Sequence, residues 1–196
     1  MAVERPAKNG QWQWSKALGH FKTISRHRWR VMRYCFAVGL YRQGLLHDLS
    51  KFGPTEFSVG VRYYQGNRSP NNAEREDKGL TTAWLHHKGR NKHHCEYWID
   101  YDLNREHDPP LCGMKMPKRY VVEMALDRIA ASQIYKGKEY DDSCPLEYLH
   151  KGYAANLMDK STARLLEEIL AYLAEHGQKD TFAYIKNTVL SNDYDY

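Results

Sequence analysis

Ten histidines occur among 196 residues, and their order along the chain carries more information than their number. The polar residues that fall where helical periodicity calls for apolar ones are His27, the dipeptide His47-Asp48, the pairs His86-His87 and His93-His94, and Asp127. A buried, ionised carboxylate that lacks a partner costs on the order of several kcal/mol. A divalent cation removes that cost and takes neutral imidazole as a ligand. Helical folds build such sites by projecting His and Asp inward from several helices. The chemistry these residue types point to is therefore metal binding. A bound cation lowers the pKa of its water towards about 7, and two ions about 3.5–4 Å apart neutralise charge developing on phosphate oxygens. Successive residues on a helix point about 100° apart, so His47 and Asp48 reach one ion only at a helix end, or if Asp48 bridges two ions.

The ordered series His27, His47-Asp48, His86/His87, His93-His94 and Asp127 resembles the HD superfamily of metal-dependent phosphohydrolases, over about residues 20–135. The sequence HDLSK, with Lys51 three residues after Asp48, is similar to the H-D-x-x-K of the HD-GYP cyclic-dinucleotide phosphodiesterases, although no Gly-Tyr-Pro occurs in the chain. The stretch AWLHHKGRNKHHCEYW resembles a small, functionally uncharacterised HD-like branch. The resemblance implies an all-α fold, a compact single-domain helical bundle of HD type. It also implies a mono- or dinuclear metal centre. His27, His47, Asp48 and Asp127 would form the first metal shell, and His87 with His93, His94 or both would hold a second ion. Lys51, Arg90 and Asn91 would grip phosphate, with Asp48 and Lys51 closest to the chemistry. The expected cofactor is one or two divalent ions, iron or manganese first, with magnesium, cobalt, nickel or zinc also compatible. The expected substrate is a nucleotide or another small phosphate ester. Two alternatives use the same residues: an HD-type di-iron oxygenase, and a non-catalytic scaffold that binds a nucleotide or protein. Glu56, eight residues beyond Asp48, is placed on the rim of the site.

The elements that must position these residues are helical. His20, Ile24, His27, Val31, Tyr34 and Val38 follow 4-3-4-3-4 spacing, one face of a helix from about Ser15 to Tyr41. Arg26, Arg28, Arg30 and Arg33 fall on its solvated side. LLHDLSKF reads as a short helix, and Pro54 opens the next, PTEFSVGVRYY. A polar helix is expected over residues 72–87 and a short one over HHCEYWID. Tyr101–Pro117 reads as a long surface loop. A further helix spans residues 117–135, with Asp127 on the stripe Tyr120, Met124, Ala131 and Ile134. Helices over residues 145–157, 161–176 and 179–190 complete the chain, and the acidic tail SNDYDY is expected to fray. His86 and His87 cannot both face inward from one helix, and His87 is favoured; of His93 and His94 at least one is expected to be a ligand. His20 is expected in the core, whereas His107, His150 and His176 read as surface residues. Trp84, Tyr97, Trp98 and Tyr101 flank the histidines and read as packing residues or as a stacking platform for a base.

Composition sets the remaining bounds. The chain is 42% hydrophobic and 27% charged, with a net charge of +5, so the whole is read as one globular domain. Its metal-site core spans about residues 20–135, with helices over 145–190 packed on it. The longest apolar runs are too short for a transmembrane helix, and the first fifteen residues lack a signal-peptide core. The expectation is a cytoplasmic protein with no membrane partner and no nucleic-acid partner. Four scattered cysteines without a C-x-x-C pair predict reduced thiols rather than a zinc knot.

Overall fold

A computed structural model describes residues 12–103, 110–152 and 154–196. Among the described residues the chain is all-α apart from one small hairpin, as the sequence predicts. Packing divides it into two units, each assembled from separate stretches. The first comprises residues up to Arg26 and Asp48–His87; the second comprises His27–His47 and Lys88–Tyr196.

Helix α1 runs Trp14–Ala37. Its predicted stripe is buried at His20, Ile24, His27, Val31 and Val38, while Tyr34 is half-buried and its neighbour Cys35 takes the core position instead. It ends where Gly39 turns into the left-handed region (φ 88°), earlier than expected. In the first unit, a one-turn 3₁₀ segment (Leu49–Phe52) leads to α3 (Pro54–Arg62) through Gly53-Pro54. The single helix expected over residues 72–87 is two, α4 (Pro70–Lys78) and α5 (Thr82–Lys88). Gly79, at φ 77°, makes the break. The buried Glu74 carboxylate ties the two together by accepting from Thr81 Oγ1 (2.7 Å) and Thr82 Oγ1 (3.0 Å). A small core of Val59, Tyr63, Ala73 and Ala83 fills the unit.

In the second unit, α2 (Tyr41–Leu46) stops one residue before His47-Asp48. HHCEYWID is not an α-helix: a 3₁₀ turn at Cys95–Trp98 runs into β1 (Ile99–Tyr101). This strand pairs antiparallel with β2 (Leu111–Gly113), so the expected loop is partly a hairpin. The His107 expectation lies outside the described residues. Helix α6 (Lys118–Lys136) is the centre of this unit, buried continuously from Val121 to Leu126. The expected stripe on α6 is therefore only one side of a helix covered nearly all round, with Tyr120, Ala131 and Ile134 half-buried. Helices α7 (Cys144–Lys151) and α8 (Ala154–Leu157) replace one predicted helix, and α9 (Lys160–Tyr184) replaces two, kinked at Gly177. Leu165, Leu166, Ile169, Leu170 and Leu173 of α9 join α6 and α1 residues in the main core. The tail is docked rather than frayed: Lys118 Nζ donates to the carbonyls of Ser191 (2.8 Å) and Tyr194 (2.5 Å), and Tyr194 donates to Glu168. All four cysteines are free thiols.

Candidate metal centre

His47 closes α2, and Asp48 follows in the left-handed region at φ 55°. LLHDLSKF is thus not one helix, and the dipeptide sits at a helix end. Asp48 is the single non-glycine residue with positive φ among the described residues. Asp tolerates this conformation better than most residues, but it still carries strain, a feature concentrated at functional sites.

In the second unit, α1, α2, α6 and the turn before β1 bring together His27, His47, His93, Glu123 and Asp127. Glu123 and Asp127 lie one turn apart on α6, so they share a face. His47 stands between them. Its Nδ1 is 2.9 Å from Glu123 Oε1, and its Nε2 is 3.6 Å from Asp127 Oδ1. Glu123 Oε1 also meets His93 Nδ1 at 3.1 Å. His27 Nε2 lies 2.9 Å from Asp127 Oδ1. Burial raises the Asp127 carboxyl, but the His27 and His47 imidazoles outweigh it and hold that carboxyl well below the usual range. Glu123 follows the same pattern: burial raises it, and His47 and His93 bring it below its ordinary value. His94 is half-buried, its ring 4.2 Å from that of His93, and its backbone N–H donates to the Asn91 carbonyl. Asn91 is buried, whereas Arg90 is exposed.

In the first unit, Asp48, Lys51, Glu56, His86 and His87 come together. His87 is fully buried. Its Nδ1 is 2.8 Å from Glu56 Oε2 and its Nε2 is 3.2 Å from Asp48 Oδ1. His86, half-buried, places its Nδ1 2.7 Å from the other Glu56 oxygen. Lys51 Nζ donates to Asp48 Oδ2 at 2.5 Å. Burial lowers the basicity of His87, but the Asp48 and Glu56 carboxylates together outweigh it, and its pKa is raised. Burial raises Glu56, while His87, His86 and Ser50 bring it down. Trp84 packs on His87, 5.5 Å between ring centroids, whereas Tyr97 and Tyr101 are exposed in the other unit. His20 is a core residue, set against Phe57 and Tyr64, and His150 and His176 are on the surface.

One arrangement occurs in both units: an imidazole bracketed by carboxylates at both ring nitrogens. A neutral imidazole has one N–H to donate. The carboxylate facing Nε2 is favourably met by positive charge there, either a proton or a cation. The donor set fits a cation. Ligands about 2.1 Å from a metal stand about 3.0 Å apart at right angles and about 3.4 Å apart in a tetrahedron. The Nε2-to-Asp oxygen separations of 2.9, 3.2 and 3.6 Å lie on that scale. Glu123 and Glu56 supply what metal-binding histidines need behind them, a carboxylate on Nδ1–H that fixes the tautomer. Buried groups in this structure thus offer ligand atoms close enough to hold a metal ion, within 4.8 Å of one another for His27, His47 and Asp127 and for His47, His93 and Glu123.

The sequence reading selected the inward histidines and Asp127 but missed the role of Glu123 and set Glu56 only at a rim. A signal for Glu123 exists, since a lone carboxylate interrupts the apolar run Val121-Val122-Glu123-Met124-Ala125-Leu126.

No helix among the described residues is long and apolar enough to cross a membrane. Residues 16–172 match the model of a family of unknown function, DUF5662, and the chain belongs to that family. Neither the curated proteins nor the solved structures contain a match.

Proposed function

We propose that this family member is a metal-dependent hydrolase of phosphate esters, of HD type, acting on a nucleotide or a similar small substrate. The observation that carries the reading is the doubly bracketed imidazole, at His47 and again at His87. His27, His47 and Asp127 would hold a divalent cation through two Nε2 atoms and a carboxylate oxygen, and Asp48 and His87 offer a second pair of ligand atoms. When bound, the cation supplies Lewis acidity towards phosphate oxygens and a water made acidic enough to react near neutrality. The remaining roles belong to the chain. Glu123 holds the Nδ1–H of His47 and His93, and Glu56 holds those of His86 and His87, so that each imidazole presents Nε2. Lys51, braced by Asp48 and about a quarter exposed, presents an ammonium that can grip a phosphate oxygen. In the second unit, Arg90, exposed on the turn after α5, is a cationic group able to meet a phosphate oxygen.

The test is metal content by plasma mass spectrometry on untagged protein purified without chelators, followed by hydrolysis assays on bis(p-nitrophenyl) phosphate and a nucleotide panel. Stoichiometric iron or manganese, with turnover that is lost in Asp127→Ala and His27→Ala, is the expected result. Protein that binds no metal on reconstitution would overturn the reading and leave the bracketed histidines as a structural imidazolium network. Metal without turnover, together with oxygen uptake, would replace hydrolysis with oxygenase chemistry.

A further inference from the structure

The amino-terminal half of α1 carries an outward face that the metal chemistry does not use. Trp14, Leu18 and Phe21 follow 4-3 spacing and share one side of the helix. They lie beside the buried stripe of Ala17, His20 and Ile24, yet they face solvent: Trp14 is 82% exposed, Leu18 56% and Phe21 47%. Phe52, from the 3₁₀ turn of the same unit, extends the patch by packing edge-on against Phe21, 5.9 Å between centroids. Trp12 packs edge-on against Trp14 at 6.2 Å. Scattered exposed apolar residues are ordinary, but a contiguous set of this size with several aromatics marks an interaction surface.

Charge identifies the occupant. Lys22 and Arg26, both exposed, flank the patch one and two turns along the helix. In residues 12–26 and 49–58 the one acidic residue is Glu56, and it is buried. A second copy of this chain would bring the same positive charge against itself, which disfavours self-association. Trp14 stands almost clear of the fold, 82% exposed, rather than seated among neighbours that would shape a fitted protein partner. Such a face suits a soft anionic surface. Tryptophan and phenylalanine enter the boundary between headgroups and acyl chains, while lysine and arginine meet lipid phosphates and carboxylates. We infer that this face of α1 docks the protein on an anionic lipid bilayer, with Trp14, Leu18, Phe21 and Phe52 inserted and Lys22 and Arg26 on the headgroups. The inference revises the sequence expectation of no membrane partner. It concerns a helix lying on a membrane, not one crossing it.

The test is co-sedimentation of the full chain with vesicles of phosphatidylcholine alone and of phosphatidylcholine mixed with phosphatidylserine. Binding is expected to the mixed vesicles, weakened by added salt as the basic residues are screened. The variant Trp14→Ala/Leu18→Ser/Phe21→Ser and the variant Lys22→Glu/Arg26→Glu are each expected to weaken binding at least about tenfold, from lost apolar insertion and reversed charge respectively. Because all five positions are exposed, circular dichroism should stay at wild type, and the Tm of the triple variant should fall only by the loss of the Phe21–Phe52 and Trp12–Trp14 edge contacts, which separates lost docking from lost folding. Absence of co-sedimentation with the mixed vesicles overturns the inference. So does binding that the triple variant leaves unchanged. A concentration-dependent dimer that the triple variant abolishes, without vesicle binding, would assign the face to a second copy instead. None of these readouts depends on activity or bound metal.

Discussion

Glu123→Gln is the substitution that asks most of the proposed centre. The change is isosteric and removes one charge from a residue whose single oxygen Oε1 meets both His47 Nδ1 (2.9 Å) and His93 Nδ1 (3.1 Å). A glutamine oxygen can still accept both N–H groups, so the geometry survives and only the charge assistance is lost. Charge-assisted hydrogen bonds are about twice as strong as neutral ones, so each of the two weakens by about 1 kcal/mol. Together that is about 2 kcal/mol, or roughly thirtyfold in metal affinity, within the 10- to 100-fold span common for carboxylates behind histidine ligands. Affinity is measured by competition with a chromophoric chelator, using zinc and manganese at fixed pH. Glu74→Gln is the control, because Glu74 is equally buried but holds Thr81 and Thr82 instead of histidines. It is expected to lower the Tm and leave metal affinity alone. An affinity unchanged within about twofold for Glu123→Gln, with a wild-type circular dichroism spectrum, would refute the argument that Glu123 orients the ligands. A loss of several thousandfold would refute it differently, by making Glu123 itself a ligand alongside His47 and His93.

Other predictions rest on residues outside the centre. Burial, with a smaller contribution from Lys51, lowers His20 to about 4 from 6.5, so between those values the unfolded chain binds the extra proton. His20 therefore contributes stability above pH 6.5 that is lost as pH falls towards 4, about 3 kcal/mol in all; denaturant titrations of wild type and His20→Gln should diverge across that window, and parallel curves would sink the assignment. A Cβ added at Gly60 would stand 2.1 Å from His20 Nε2, so Gly60→Ala should destabilise by about 1–2 kcal/mol, overpacking outweighing the gain in helix propensity, and a higher Tm would contradict the packing. Burial pushes the Cys35 and Cys95 thiols up to about 12 from 9.0, so at pH 8 both should react with a disulfide reagent about a thousandfold more slowly than in denaturant, whereas half-buried Cys112 reacts first.

The inward histidines were legible because they break a pattern. On α1 the 4-3 spacing requires apolar residues at 20 and 27, and histidine is conspicuous there. Asp127 was legible for the same reason, on a stripe that proved to be one side of a helix buried nearly all round. Pattern failed where local backbone geometry decided the outcome. Asp48 takes φ 55° and splits LLHDLSKF, and nothing in that octapeptide distinguishes an Asp that continues a helix from one that ends it. Gly79 lies inside the single helix expected over residues 72–87 and is a full stop, since its positive φ ends α4 and the contacts of Glu74 hold the restart. The hairpin was missed because its strands are three residues each, too short for alternation to register. The docked tail was missed because its anchor, Lys118, is more than seventy residues distant in sequence.

Glu56 and Glu123 were hard to read for a deeper reason. Each occupies a helix position where glutamate is unremarkable by propensity. Their function appears only when the histidines they hold are placed, since a carboxylate behind an imidazole is defined by the other nitrogen of that ring. Both brackets pair a carboxylate able to ligate, Asp127 or Asp48, with one turned to Nδ1, Glu123 or Glu56. The division of labour follows from chain length. Aspartate, one methylene shorter, keeps its carboxylate close to its own backbone and fixes a ligand atom firmly, whereas glutamate has the reach to meet two rings at once. Glu56 does so with both oxygens and Glu123 with one. Exchanging the pair, Glu123→Asp with Asp127→Glu, would preserve charge and composition while displacing each carboxylate by about a bond length. Loss of metal in that exchange, with folding intact, would separate a centre defined by position from a cluster held together merely by opposite charge.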